Sequence, residues 1–127
     1  MRLKALGLLA GVAAVLALAQ PAAAMDMAKV HAHEPLDIAS AQAAEVCAAS
    51  TMGAAYMAPK GSDEATLNTT LARAWVKLAI QATGKDANDY IDHILTANMQ
   101  ALYDDGNDTV KFYHDACLVA SKQLLNG

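Results

Sequence analysis

Hydrophobic residues follow two different patterns along this chain. Near the N-terminus, an uninterrupted apolar run extends over residues 5–19. After residue 36, apolar residues instead recur at spacings of three and four, which is the period of an amphipathic helix. Four such stretches are separated by short turn signals, and no alternating run of β-branched residues predicts a strand. We therefore expect an all-α fold, arranged as a compact four-helix bundle.

Capping and turn residues mark the expected ends of the four helices. The helices are predicted at about residues 37–58, 62–83, 86–103 and 108–125. Ser62 and Asp86 are suited to cap the second and third helices, because their side-chain oxygens can accept backbone N–H groups. Gly84 can adopt the left-handed conformation that ends a helix. The third helix is expected to bury one face, formed by Tyr90, Ile91, Ile94, Leu95, Ala101 and Leu102.

The N-terminal segment has the order of a cleavable signal peptide. Two positive charges in residues 1–4 precede the apolar run, and the small residues 22–24 follow it. The run has 15 residues, whereas a membrane-spanning helix needs about 20. We therefore expect residues 1–24 to be removed, leaving a periplasmic or secreted protein that begins at Met25 and has no membrane anchor.

The two cysteines are expected to form a disulfide. Cys47 and Cys117 fall on the apolar faces of the first and last predicted helices. In an exported domain, an even number of cysteines is typical of disulfide pairing. We expect residues 36–127 to form one helical domain that this disulfide cross-links. The closed loop of about 70 residues corresponds to a stabilisation of about 4 kcal/mol in the chain-entropy model. A core rich in alanine buries little area per residue, so such a cross-link would be useful.

The net negative charge of the chain argues against two classes of binding partner. Removal of the leader takes away Arg2 and Lys4, which changes the formal charge from −4 to −6. Nucleic acids and anionic membranes are bound through clustered Lys and Arg. We therefore expect neither as a partner, and expect another protein instead.

The segment between the leader and the first predicted helix is the best candidate for a metal site. Residues 25–35, called the arm below, show no helical period and end in a proline, which predicts a flexible segment. Met25, Met27, His31 and His33 lie within it. Thioether sulfur suits Cu(I), and imidazole suits Cu(II) or zinc. Metal binding by this arm and a solvated tail without ligands are the two alternatives.

No sequence motif indicates catalysis. The chain lacks a G-x-S-x-G nucleophile motif, a glycine-rich phosphate loop, an H-E-x-x-H zinc motif and a C-x-x-C-H haem motif. His93 and His114 fall on consecutive predicted helices, but a surface position explains each of them more simply. We expect no catalytic residue and no cofactor.

The leader, the helical body and the single long-range disulfide together resemble the architecture of small periplasmic helical proteins. Acid-stress chaperones and immunity proteins against secreted toxins are examples of that class. A small acidic bundle without a catalytic constellation is expected to act through its surface, so we expect a non-enzymatic binding protein of the bacterial envelope, of the inhibitor, immunity or chaperone type. The alternative is a periplasmic protein that binds copper or another metal through the arm.

Overall fold

The computed structural model describes residues 24–126, and all regular secondary structure within them is helical. Its five helices are α1 (Met27–His31), α2 (Ala41–Met57), α3 (Asp63–Thr83), α4, and α5 (Asn107–Asn126). Helix α4 is continuous over Ala87–Asp89, a π-helical turn at Tyr90–Ile94, and Leu95–Asp105. The all-α prediction is confirmed, but the arm adds a fifth helix. Apart from Ala24, the predicted signal peptide lies outside the described residues.

Three of the predicted helix ends are confirmed by their capping residues. Ser62 and Asp86 accept backbone N–H groups at 3.1 and 3.0 Å, and Gly84 ends α3 with a φ of 71°. Two N-terminal ends differ from the prediction. Helix α2 begins after a cap at Ser40, later than expected, and α5 begins at residue 107, so Asp108 lies in its first turn.

Helix α2 lies at the centre of the fold, and small, mostly apolar residues occupy all of its sides. Residues 43–51 are buried without interruption, as is Gly53. A helix that is buried all round requires neighbours on every face, and α3, α4 and α5 supply them. The α2 side chains are mostly small. The neighbouring helices contribute the larger buried side chains Trp75, Leu102 and Tyr113.

The predicted disulfide is confirmed. Cys47 of α2 and Cys117 of α5 are bonded, with Cα atoms 5.3 Å apart and a sequence separation of 70 residues. Both side chains have no exposed surface. The bond therefore cross-links the centre of the core. Among the helices that the structure describes, none is both long and apolar enough to cross a membrane.

The arm folds onto the bundle, which corrects the expectation of a flexible segment. Asp26 caps α1, and the side-chain amide of Gln42 accepts the Asp26 N–H at 2.7 Å and donates to its carbonyl oxygen at 3.0 Å. The Tyr113 hydroxyl donates to the carbonyl oxygen of Glu34 at 2.9 Å. A helix of five residues is too short to show a period, and the groups that hold it are distant in sequence.

Candidate functional site

A π-helical turn in α4 changes which side chains face the core. The backbone N–H of Leu95 donates to the carbonyl oxygen of Tyr90, five residues earlier. Tyr90 is fully buried, whereas the adjacent Ile91 is 48% exposed. In an uninterrupted α-helix, Ile91 would share the inward face of Leu95, four residues later. The prediction that Ile91 belongs to the core is therefore wrong, because the wider turn contains one additional residue.

Ile91 lines an open groove of about 480 Å³, called the α3–α4 groove below. Its apolar lining consists of Met52, Val76, Ile80, Ala87, Ile91 and Leu95. Val76 and Leu95 are almost fully buried, so they form the inner wall, while Ile91 remains accessible. A concave apolar surface of this volume is of the size that ligands and anchoring side chains occupy in known binding sites.

Two cations flank this groove. Arg73 and Lys77 are exposed on α3, one helical turn apart, and Gln81 follows one turn later. Within residues 24–126, neither cation is within 4.0 Å of a carboxylate oxygen. The chain as a whole is acidic, so this rim is a local exception to the overall charge. A cationic rim beside an apolar groove favours a binding partner whose apolar face is flanked by negative charges.

The two methionines that the sequence suggested as metal ligands belong to the hydrophobic core. Met25 is only 3% exposed, and the half-buried Met27 packs against the same cluster. Across residues 24–126, no group of three or more His, Cys, Asp and Glu side chains could hold a metal ion. Metal binding by the arm stays a prediction.

The two histidines of the arm hold it against the junction of α4 and α5. His31 Nδ1 lies 2.9 Å from Asp105 Oδ1, and His33 Nε2 lies 2.8 Å from Thr109 Oγ1. The His33 ring also stacks on Phe112, with ring centroids 4.8 Å apart. The arm thus forms part of the fold, and both imidazoles have protein partners.

His93 and His114 do not line a common cavity. His93 is exposed on the π-helical turn. His114 is half-buried, with Nε2 3.4 Å from Asn68 Oδ1, and lines a separate recess of about 360 Å³. The lining of that recess includes Ser50 but not His93.

A buried polar cluster beneath the π-helical turn was not predicted from the sequence. Glu45 of α2 is 5% exposed, and its Oε2 accepts hydrogen bonds from the Tyr90 hydroxyl at 3.1 Å and from Asn98 Nδ2 at 3.2 Å. Burial, and then the negative charge of Glu45, raise the pKa of Tyr90 well above its ordinary range. Tyr90 therefore remains protonated and serves as a hydrogen-bond donor to Glu45.

Comparison with protein-family models, with curated proteins and with solved structures gives no match for this chain. The function is therefore inferred from the geometry of the described residues. Among their surfaces, the α3–α4 groove combines an accessible isoleucine, a buried apolar wall and a cationic rim.

Proposed function

We propose that this protein is a non-enzymatic binding protein of the bacterial envelope, and that its α3–α4 groove accepts an acidic amphipathic helix of another protein. One observation carries this proposal. The π-helical turn leaves Ile91 48% exposed in an apolar groove, although the same residue would face the core in a regular helix. An exposed apolar surface with a polar rim is typical of interaction sites.

The length of the groove favours a helical occupant. Its lining on α3 extends from Arg73 to Gln81, which at the helical rise corresponds to about 12 Å. Apolar side chains at positions i, i+4 and i+7 of a partner helix span about 10 Å, and such anchors typify helix-in-groove recognition. Arg73 and Lys77 are four residues apart, so acidic residues four apart on the partner helix match their spacing.

Two further observations support export. The N-terminal segment has the pattern of a signal peptide. The Cys47–Cys117 disulfide is of the kind that persists in oxidising compartments such as the periplasm. With the protein in the envelope, the occupant that we propose is an acidic helix of another envelope protein.

Calorimetric titration with a synthetic amphipathic peptide tests this proposal. The peptide carries Leu on one face and Glu on the flanks, and a second peptide with Lys in place of Glu is the charge control. We expect saturable binding of the Glu peptide, weakened at least about tenfold by Ile91→Lys, because the new charge enters an apolar groove. Val119→Lys is the matched variant, since Val119 is 57% exposed on α5 and does not line the groove.

Three outcomes would contradict the proposal. The first is equal affinity of the wild type and the Ile91→Lys variant for the Glu peptide. The second is equal binding of the Lys and Glu peptides, because it would remove the role of Arg73 and Lys77. The third is saturable binding of dodecanoate without binding of the peptide, since it would identify the occupant as a small amphipathic anion.

A further inference from the structure

Glu45 is a buried carboxylate whose hydrogen-bond donors in the described part of the chain are neutral. It is 5% exposed, in the middle of the central helix. The ion pairs present within residues 24–126 are His31–Asp105 and Lys111–Asp115, and neither involves Glu45. A buried charge is costly unless an opposite charge or a full set of hydrogen bonds compensates it. Glu45 is therefore a position where an additional positive charge would stabilise the fold.

Asn98 connects this carboxylate to the backbone at the expected cleavage site. Asn98 is fully buried, and its Nδ2 donates to Glu45 Oε2 at 3.2 Å. Its Oδ1 accepts the backbone N–H groups of Ala24 at 2.8 Å and Met25 at 3.5 Å. The negative end of the amide dipole thus faces residues 24–25, and the positive end faces the carboxylate. This orientation would be favourable for a cation at Met25.

We propose that Asn98 and Glu45 form a binding site for the α-ammonium group of Met25, which exists only after the leader has been removed. This inference rests on the export part of the proposed function. In the cleavage, water adds across the Ala24–Met25 peptide bond, which leaves a carboxylate on Ala24 and an ammonium group on Met25. The departure of Ala24 also removes the closer of the two N–H groups from Asn98 Oδ1.

The geometry of Met25 supports this assignment. Its side chain is 3% exposed and belongs to the hydrophobic core, so the new N-terminus is held in place beside Asn98. The ammonium group offers three donors, where the peptide N–H offers one. The precursor lacks this charge beside Asn98, whose amide is hydrogen-bonded to Glu45, so we expect the mature chain to be the more stable form.

A double-mutant cycle on the exported, oxidised protein tests this site. Intact mass first establishes whether the chain begins at Met25. Its unfolding in urea is then compared with that of a variant carrying a Gly-Ser extension before Met25, which moves the ammonium group away. We expect the extension to lower the equilibrium constant for folding at least tenfold in the wild type, and less than twofold in the Glu45→Gln background.

A chemical measurement gives a second test that does not depend on the Glu45→Gln variant. The α-amine of Met25 is labelled with an amine-specific reagent, and we expect at least tenfold slower labelling in the native protein than in urea. Equal labelling rates, equal effects of the extension in both backgrounds, or a mass that begins at another residue would each overturn the inference. These measurements do not involve the α3–α4 groove, so a failure of peptide binding would leave them interpretable.

Discussion

Asp105 is the residue at which the arm, α4 and α5 meet. Its carboxylate accepts a hydrogen bond from the Thr109 hydroxyl and lies 2.9 Å from His31 Nδ1. The hydrogen bond from Thr109, and then that from His31, hold the pKa of Asp105 below its ordinary value. A carboxyl group whose pKa is lowered by folding stabilises the fold above its unfolded-state pKa. That stabilisation is lost as the pH falls through the folded-state pKa.

We expect Asp105→Asn to remove this pH-dependent contribution. Near pH 6 the variant should have a lower free energy of unfolding than the wild type, and the difference should shrink as the pH falls below about 4. Urea unfolding, followed by the fluorescence of the single tryptophan, Trp75, measures the free energy of unfolding of the wild type and of the variant at each pH. Thr109→Val is the companion variant, and should raise the pKa of Asp105 in an NMR titration. A difference between wild type and Asp105→Asn that is constant from about pH 6 to about pH 2 would contradict this account.

At the scale of the secondary-structure elements, the predictable features were those with local causes. Ser62, Asp86 and Gly84 act within one turn of their own position, so each helix end could be inferred from neighbouring residues. The disulfide was predictable for another reason, since a pair of cysteines on inward faces has few alternatives in an exported domain. Helix α1 also has a local cap, Asp26, but its position on the bundle depends on Gln42 and Tyr113, which are distant in sequence.

The candidate site was not predictable, because it depends on a π-helical turn. The hydrogen bond from Leu95 to Tyr90 spans five residues, while the sequence period around it is that of an α-helix. The turn allows Tyr90 to reach Glu45 and moves Ile91 into the α3–α4 groove. The buried hydrogen bond between Tyr90 and Glu45 and the exposure of Ile91 thus accompany the same π-helical turn.

We expect the disulfide between α2 and α5 to be a major contribution to stability. The double variant Cys47→Ala and Cys117→Ala should lose about 4 kcal/mol in free energy of unfolding, because opening a loop of 70 residues increases the entropy of the unfolded chain. The midpoint of urea unfolding under oxidising conditions measures this loss. The reduced wild type is the control, since it lacks the bond but retains both sulfur atoms. Equal midpoints for the oxidised wild type and the double variant would contradict the expectation.

At the scale of the whole molecule, an alanine-rich central helix limits how much apolar surface can be buried. Residues 43–51 of α2 are all buried, yet most of them are small. The core therefore buries little apolar surface per residue of α2. The disulfide between Cys47 and Cys117 joins two of the helices that form this core. Around this core the surface is acidic overall, while the α3–α4 groove is apolar with Arg73 and Lys77 on its rim. That contrast is the basis of the proposal that a partner protein binds in the α3–α4 groove.

The most direct test of this account is an NMR titration of the oxidised, mature protein with the Leu and Glu peptide. Two-dimensional ¹H–¹⁵N spectra report the position of binding at each backbone amide. We predict saturable shifts concentrated at the groove residues Val76, Ile80, Ile91 and Leu95, with little change near Val119 on α5. Saturable shifts centred outside the groove, or no saturable shift at all, would contradict the claim that the α3–α4 groove is the binding surface.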